Sequence, residues 1–462
     1  MTATPRFSIE LDALYRRFCQ DLEQALPSGQ WVVALSGGLD SQLLLYFSNR
    51  YCKAHNKSLI AVHVHHGLSD NADAWAQACA QRCQTLGVEC VIERVSLSGS
   101  GGIEQQARRA RYLALEKHIQ RGDTLLTGQH GDDQLETVLL ALKRGSGPRG
   151  LAAMGQFTAF GQGHLLRPLL KFTRAELEFA ANELNLAWVE DESNDDIRFE
   201  RNYLRHEVIP PLRQRWPNIA QAVTRSAELC AEQEQLLMTL MRPRLDAIMS
   251  RDNALSIAQL QQESMAARHY LLRLWLDENG VLMPTYAQLQ AMWQDVAMAQ
   301  EDANPVFQLG SGQIRRFSGH LYFVTQTQSL AFWHQPLTLG QTTILPDGVG
   351  SLTLGGDLLD AIPTLQACDW SASLRLPQQG ESWQIVFEPQ GRMAHPEGRV
   401  GSRKLKKLFQ EYHVPSWLRR RIPIVLCNEK VVAVAGLFVD RDFSGSDCAL
   451  IWRKSSKFVP DS

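Results

Sequence analysis

The stretch Trp31-Val32-Val33-Ala34-Leu35-Ser36-Gly37-Gly38-Leu39-Asp40-Ser41, followed by Leu43-Leu44-Leu45-Tyr46-Phe47, decides the fold. An apolar run, a tight glycine-rich turn and a second apolar run read as strand, loop and helix. Two glycines let the backbone approach a ligand closely and adopt positive φ. Two serines add hydroxyl donors, and the free N–H groups at the start of the following helix favour an anion. The loop therefore reads as a phosphate cradle, Ser36, Gly37, Gly38, Leu39, Asp40 and Ser41 being its residues, with an ordinary strand-to-helix turn as the alternative. It lacks the lysine of G-x-x-x-x-G-K-[ST] and the spacing of G-x-G-x-x-G.

Working outward, short apolar runs alternate with helical patterns up to about residue 150. Leu59–Val64, Cys90–Val95 and Thr124–Thr127 read as strands; Asp73–Leu86, Ile103–Ile119 and Asp132–Lys143 read as helices. That alternation predicts an α/β fold with a parallel sheet covered on both faces. Ligands of such sheets sit beyond the carboxyl ends of the strands. The Ser36 loop, His65-His66-Gly67 and Gly128-Gln129-His130 each follow a predicted strand, so they converge on one crevice.

Pro210-Pro211 and Trp216-Pro217 mark a boundary. Beyond them the chain is helical in pattern to about Gln300, then turns to short β-like runs rich in glycine. Three domains follow: a nucleotide-binding domain over 1–217, a helical middle domain over 218–325 and a small α+β domain over 326–462. A chain of 462 residues accommodates three.

Net charge is −2, so any nucleic-acid surface must be local. No apolar run is long enough to span a bilayer, and Met1–Glu10 has no signal-peptide core. A cytoplasmic protein with no membrane partner is the expectation, and a homodimer is left open. Nine cysteines without a C-x-x-C exclude a disulfide scaffold and a paired-cysteine metal site.

Two constellations accompany the loop. On the predicted helix from Ile103, Arg108 and Arg111 lie at i, i+3, which makes either a solvated basic face or a clamp for a phosphate or a carboxylate. In His130-Gly131-Asp132-Asp133-Gln134-Leu135-Glu136, a histidine stands at a helix start with Asp133 and Glu136 three apart. Carboxylates there are often present only for the helix dipole. With a histidine beside a phosphate loop they also suit Mg²⁺, proton transfer or a substrate amine. H-x-H-H at His63, His65 and His66 is a poor zinc set. Near the C-terminus nine basic residues, Arg392 to Arg421, face only Glu397 and Glu411, while Leu405, Leu408, Phe409 and Tyr412 recur at helical spacing. A basic helix of this kind is either solvated or bound to a phosphate backbone.

Ser36-Gly37-Gly38-Leu39-Asp40-Ser41 resembles the pyrophosphate loop of the N-type ATP pyrophosphatases, the PP-loop superfamily, which split ATP between the α and β phosphates. Further motifs narrow the likeness: His63-Val64-His65-His66-Gly67-Leu68, Ala107-Arg108-Arg109-Ala110-Arg111-Tyr112, His130 to Thr137, Lys143-Arg144-Gly145-Ser146-Gly147, Arg167-Pro168-Leu169-Leu170, Asp191-Glu192-Ser193-Asn194 and Arg201-Asn202-Tyr203-Leu204-Arg205, then Gly401 to Phe409 and Val414 to Arg419. In this order they resemble the tRNA(Ile)-lysidine synthetase family. Ser69 departs from the pattern, since many members carry a basic residue after the Gly-Leu pair.

The resemblance implies ATP-dependent ligation of L-lysine to C2 of the wobble cytidine in the CAU anticodon of tRNA(Ile), through an adenylated cytidine. ATP and Mg²⁺ are the implied cofactors, with the metal on Asp40 and Asp133. Arg108 and Arg111 are implied in contacts to nucleotide phosphates or substrate. His130, Asp133 and Glu136 contact Mg²⁺ or the lysine amine, and the sequence does not separate these roles. Asn194, Arg201, Asn202 and Arg205 shape the mouth of the site. Arg399, Arg403, Lys404, Lys406, Lys407, Arg419 and Arg420 contact tRNA. The rival readings are a tRNA thiolase, a small-molecule amidotransferase and a non-catalytic tRNA-binding protein. Missing cysteine pairs weigh against the first, the lack of a glutaminase domain against the second and the intact loop against the third.

Overall fold

The computed structural model describes residues 7–25, 29–67, 69, 71–96, 103–190, 192–300, 303–355 and 369–455. The chain divides into two compact units, Met1–Leu237 and Met238–Ser462. In the first, the elements run α1 (Ile9–Ala25), β1 (Trp31–Ala34), α2 (Leu39–His55), β2 (Leu59–His65), α3 (Ala72–Leu86), β3 (Glu89–Arg94), α4 (Ile103–Glu116), β4 (Thr124–Leu126), α5 (Gly131–Lys143), α6 (Pro148–Leu151), β5 (Phe157–Phe160), β6 (Gly163–Leu166) and α7 (Arg174–Glu183).

The six strands lie in the order β3-β2-β1-β4-β6-β5. All neighbours are parallel except the β5–β6 hairpin. The strand order reverses between β1 and β4, and crevices at such switch points receive ligands. Both faces of the sheet are buried because alternate residues of each strand point oppositely. Trp31, Val33 and Leu35 meet Phe18 and Leu22 of α1, Leu43 and Phe47 of α2 and Leu177 of α7. Val32, Val62, Leu125 and Leu165 meet Leu115 and Ile119 near the end of α4. Each such buried side chain stabilises the fold by roughly 1.5–3 kcal/mol. Helix α2 is buried almost all round, as befits a helix wedged between a sheet and two other helices.

The strands and helices expected between residues 59 and 143 form within a few residues of the sequence reading. Helix α1, strands β5 and β6 and helix α7 went unread. Helix α1 precedes the diagnostic loop. Strands β5 and β6 are only four residues each and turn at Gly161, φ 53°. Helix α7 opens with a reciprocal capping box: Thr173 N donates to Glu176 Oε2 at 2.7 Å, and Glu176 N to Thr173 Oγ1 at 3.3 Å. The T-x-x-E spacing is a legible helix start.

The helix Ile219–Ile248 spans the point of division. Ala220 packs on Leu135 and Ile209 in the first unit. Met241, Leu245 and Ile248 enter a core of the second unit with Trp275, Leu289 and Leu321. That core joins helices Met265–Glu278 and Tyr286–Ala291 to a four-stranded antiparallel sheet that includes Val306–Leu309, Gly312–Phe317 and His320–Thr325. The rest of this unit holds a five-stranded and a four-stranded sheet, with the helix Leu405–Glu411 on a large shared core.

Candidate active site

The Ser36 loop leaves β1 and caps α2. Gly37 sits at φ +95°, and a Cβ there would lie 3.3 Å from Cys79 Sγ, so glycine is required on two counts. Ser41 Oγ braces the turn: it accepts from Gly37 N at 3.1 Å and donates to Gly38 O at 2.9 Å. Ser36 Oγ lies 3.1 Å from it, and Val189 N donates to Gly37 O at 3.0 Å. The first intrahelical bond is Gln42 N to Gly38 O, so the N–H groups of the first turn precede the ladder. A preformed turn with those donors and a helix dipole behind it suits a phosphate.

Asp40 projects from that first turn. Its Oδ1 accepts from Arg174 Nη1 at 2.9 Å, and Oδ2 lies 3.8 Å from His130 Nε2. Burial raises the carboxyl above its ordinary value, opposed by His130 and Arg174. A Cβ at Gly128 would fall 3.1 Å from the Asp40 carbonyl carbon, so only glycine lets the end of β4 approach α2 this closely.

His130 is the N-cap of α5, which explains its company with two aspartates. Its Nδ1 accepts from Asp132 N at 3.2 Å, while Asp133 Oδ2 accepts from His130 N at 3.0 Å. Because Nδ1 accepts, the neutral ring carries its proton on Nε2. Nε2 faces Asp40 and, at 3.6 Å, Asp133 Oδ2. One turn on, Glu136 is 1% exposed. Its Oε1 accepts from Arg205 Nε at 2.9 Å and lies 2.8 Å from Nη2, while Oε2 is buried without a partner. Burial raises this carboxyl too, opposed by Arg205. Asp132 pairs with Arg213. Asp40, Asp133 and Glu136 thus share one wall, crossed by Arg174, Arg205 and His130.

Arg201 is half-buried and acts on Glu136 through its charge. Asn202 is buried and donates to Asp196 O at 2.9 Å, fixing the turn that carries Arg201 and Arg205. Asn194 falls in the turn Glu192–Asp195, and its side chain lies outside the described residues.

Arg108 and Arg111 stand on α4 at the carboxyl edge of the sheet. They take separate partners: Arg111 Nε donates to His66 Nε2 at 3.3 Å, and the Arg108 guanidinium lies 5.1 Å from the centre of the Tyr112 ring. Burial and Arg111 push the His66 imidazole down to about 4. His63 Nδ1 bonds Leu35 O at 2.9 Å, and His65 Nε2 lies 3.2 Å from Asp73 Oδ1. Among the described residues no group of three or more His, Cys, Asp or Glu side chains is placed to hold a metal ion. The donors at Asp40 and Asp133 suit Mg²⁺, which takes one or two carboxylates and completes its shell with phosphate oxygens and water.

In the second unit, the basic stretch is partly neutralised. Arg399 and Arg403 both pair with Glu411, Arg420 lies 3.5 Å from Glu388, and buried Arg421 pairs with Asp347 at 2.9 Å. Lys404, Lys406 and Lys407 are exposed on and beside the helix whose Leu405, Leu408 and Phe409 are buried. Arg419 Nε donates to Val414 O at 3.0 Å.

Sequence reasoning missed Arg174, Arg213 and the close approach at Gly128. The capping box ahead of α7 was the available signal for Arg174, the first residue of that helix.

The PP-loop domain family matches residues 7–212, the TilS substrate binding domain residues 255–322 and the TilS substrate C-terminal domain residues 383–454. The tRNA(Ile)-lysidine synthase of Vibrio vulnificus (strain CMCP6) is 52% identical over 447 residues, covering 96% of this chain and all of the relative. The enzyme of the same name from Photobacterium profundum is 50% identical, covering 95% and 99%. That from Vibrio cholerae is 49% identical, covering 97% and 100%. Identity at this level over the whole length, with loop, acidic helix and basic helix all in place, means that the chain belongs to the tRNA(Ile)-lysidine synthase family.

Proposed function

We propose that this protein joins L-lysine to C2 of the wobble cytidine of the CAU anticodon in tRNA(Ile), in the cytoplasm, and so shifts the codon read from AUG to AUA. The observation that carries the reading is the pairing of a phosphate loop with a buried acidic wall in one crevice, within a chain half identical to curated tRNA(Ile)-lysidine synthases. ATP use follows from the PP-loop family.

The chemistry needs two displacements. Cytidine O2 attacks the α-phosphorus of ATP, and the bond to the β-phosphate oxygen breaks with loss of diphosphate. The lysine ε-amine then attacks C2, and the C2–O2 bond breaks as AMP leaves carrying O2. An oxide is a poor leaving group and an AMP ester a good one, which is the reason for using ATP. Ser36 to Ser41 hold the phosphates in the loop. Asp40 and Asp133 would hold Mg²⁺, which supplies charge neutralisation on the phosphates. Asp133 and Glu136 receive the lysine ammonium. A carboxylate raised by burial, as Glu136 is, accepts the amine's proton more readily than an ordinary one. His130 presents Nε2–H to both aspartates and fixes their orientation. Arg108 and Arg111 contact the nucleotide phosphates or substrate, and Asn194, Arg201, Asn202 and Arg205 line the mouth.

The catalytic domain is assigned to 1–217, the helical substrate-binding domain to 218–325 and the tRNA-binding domain to 326–462. Exposed Lys404, Lys406, Lys407 and the half-buried Arg419 supply the unneutralised charge for tRNA, with Arg399, Arg403 and Arg420 beside them.

The test is incubation with radiolabelled lysine, ATP and total tRNA. Label is expected in one isoleucine tRNA, with AMP formed in step. Asp40→Ala is expected to abolish incorporation in a folded protein; full activity in that variant would sink the assignment of the loop.

A further inference from the structure

The crevice has two unlike walls. Around α5 stand Asp40, Asp132, Asp133 and Glu136, each facing an arginine or histidine. Around α4 stand His66, Arg108, Arg111 and Arg167, where the neighbours that act on Arg111 and Arg167 are Tyr112 and Arg108, with no carboxylate among the described residues.

Arg167 is the residue of this wall that no role has yet absorbed. It directly follows β6, which runs parallel to β4. The sheet therefore delivers it to the same edge as Ser36 after β1, His66 after β2 and Gly128 after β4. It is 7% exposed. Nη1 donates to Gly155 O at 2.6 Å, Nε is buried without an acceptor, and the neighbours whose electrostatics act on the guanidinium are Tyr112 and Arg108. Tyr112 links the two arginines: its phenol acts electrostatically on Arg167, and its ring centre lies 5.1 Å from the Arg108 guanidinium. A guanidinium does not deprotonate in a protein, and a buried ion without a counter-ion is strongly unfavourable. An arriving anion relieves that cost.

We propose that Arg167 is a phosphate-binding residue that completes, with Arg108 and Arg111, an oxyanion subsite at the carboxyl end of β6. The ligand chemistry is a phosphate group, from ATP or from the tRNA strand that carries the target cytidine. Three guanidiniums match a polyanion better than the single carboxylate of an amino acid, and the planar fork suits phosphate. The subsite rests on the function proposed above, but it is read by binding without turnover. Wild-type protein that makes no lysidine therefore defeats that function and leaves the subsite to its own test.

Arg167→Gln, Arg167→Lys and Tyr112→Phe are compared with wild type in the full chain. Inorganic pyrophosphate binding is measured by calorimetry, and tRNA binding without ATP is measured across a salt series. In a folded Arg167→Gln, one of the two dissociation constants is expected to rise roughly 10- to 100-fold. A rise for pyrophosphate assigns the ATP phosphates. A rise for tRNA, with the salt slope reduced by about 1, assigns the tRNA backbone. Arg167→Lys keeps the charge but loses the fork, and is expected to fall between. Folded Arg167→Gln with both constants unchanged overturns the proposal, as does a rise confined to the KM for lysine. Should Arg167→Gln not fold, Arg167→Lys and Tyr112→Phe decide: wild-type constants and salt slope in both overturn it.

Discussion

Glu136 is expected to cost the fold stability, and replacing it by leucine exposes the cost. Its side chain is 1% exposed and its Oε2 has no hydrogen-bond partner. A buried acceptor left unmade costs about 1–3 kcal/mol. Against this stands the pair to Arg205, but that side chain is 42% exposed and can return to water, so its loss costs roughly 1 kcal/mol. Glu136→Leu fills a similar volume with no polar atom to satisfy. The net expectation is stabilisation of roughly 0–2 kcal/mol, about 2–4 °C in Tm per kcal/mol for a domain of this size. The pH dependence has a definite sign. Burial raises the folded-state carboxyl above 4.5, so the folded protein holds this proton more tightly than the unfolded chain. The penalty is therefore absent well below 4.5 and grows as pH rises through the folded-state value. Leucine's advantage should appear at neutral pH and vanish in acid. Lysidine formation should fall at least roughly 30-fold, because the carboxylate proposed to receive the lysine ammonium is lost. Scanning calorimetry of both proteins across pH, with labelled-lysine incorporation, checks this. A neutral-pH Tm that falls by several degrees, or a difference independent of pH, refutes the reasoning.

Gly128→Ala places a methyl 3.1 Å from the backbone of Asp40, and the neighbour is main chain that cannot swing aside. It should cost about 1–3 kcal/mol and lower lysidine formation more than stability, as read by kcat against Tm. Lys406→Ala and Lys407→Ala should each weaken tRNA binding and lower its salt slope by about 1. Arg399→Ala should change the slope less, since Glu411 already neutralises that arginine. The acid limb of activity should have a midpoint above the ordinary carboxylate range, because burial raises both Asp40 and Glu136. His66, held down at about 4, should contribute no inflection near neutral pH, and a His66→Asn profile of unchanged shape there would agree.

The local chemistry of this protein is written in its sequence. The turn at Ser36–Ser41, the strands with alternating buried faces and the carboxylates at the start of α5 all follow from residues near one another in the chain. Glycine, capping residues and apolar periodicity act over a few positions, so they are legible without a partner. The pairings in the site are not. Asp40 meets Arg174 from 134 positions away, and Glu136 meets Arg205 from 69 away. In the charge run near the C-terminus, the sequence showed Glu411 as an opposing charge, but not that it takes two of the arginines, nor that Asp347 takes a third. Arg167 gained its place only through β6, a four-residue strand too short for periodicity to announce. The amino-acid order alone carried the phosphate loop and the α/β class, because those depend on short-range sterics and hydrogen bonding. Which charges neutralise each other and which stay open for a substrate emerged from the fold, because electrostatic partnership depends on distance and burial in space.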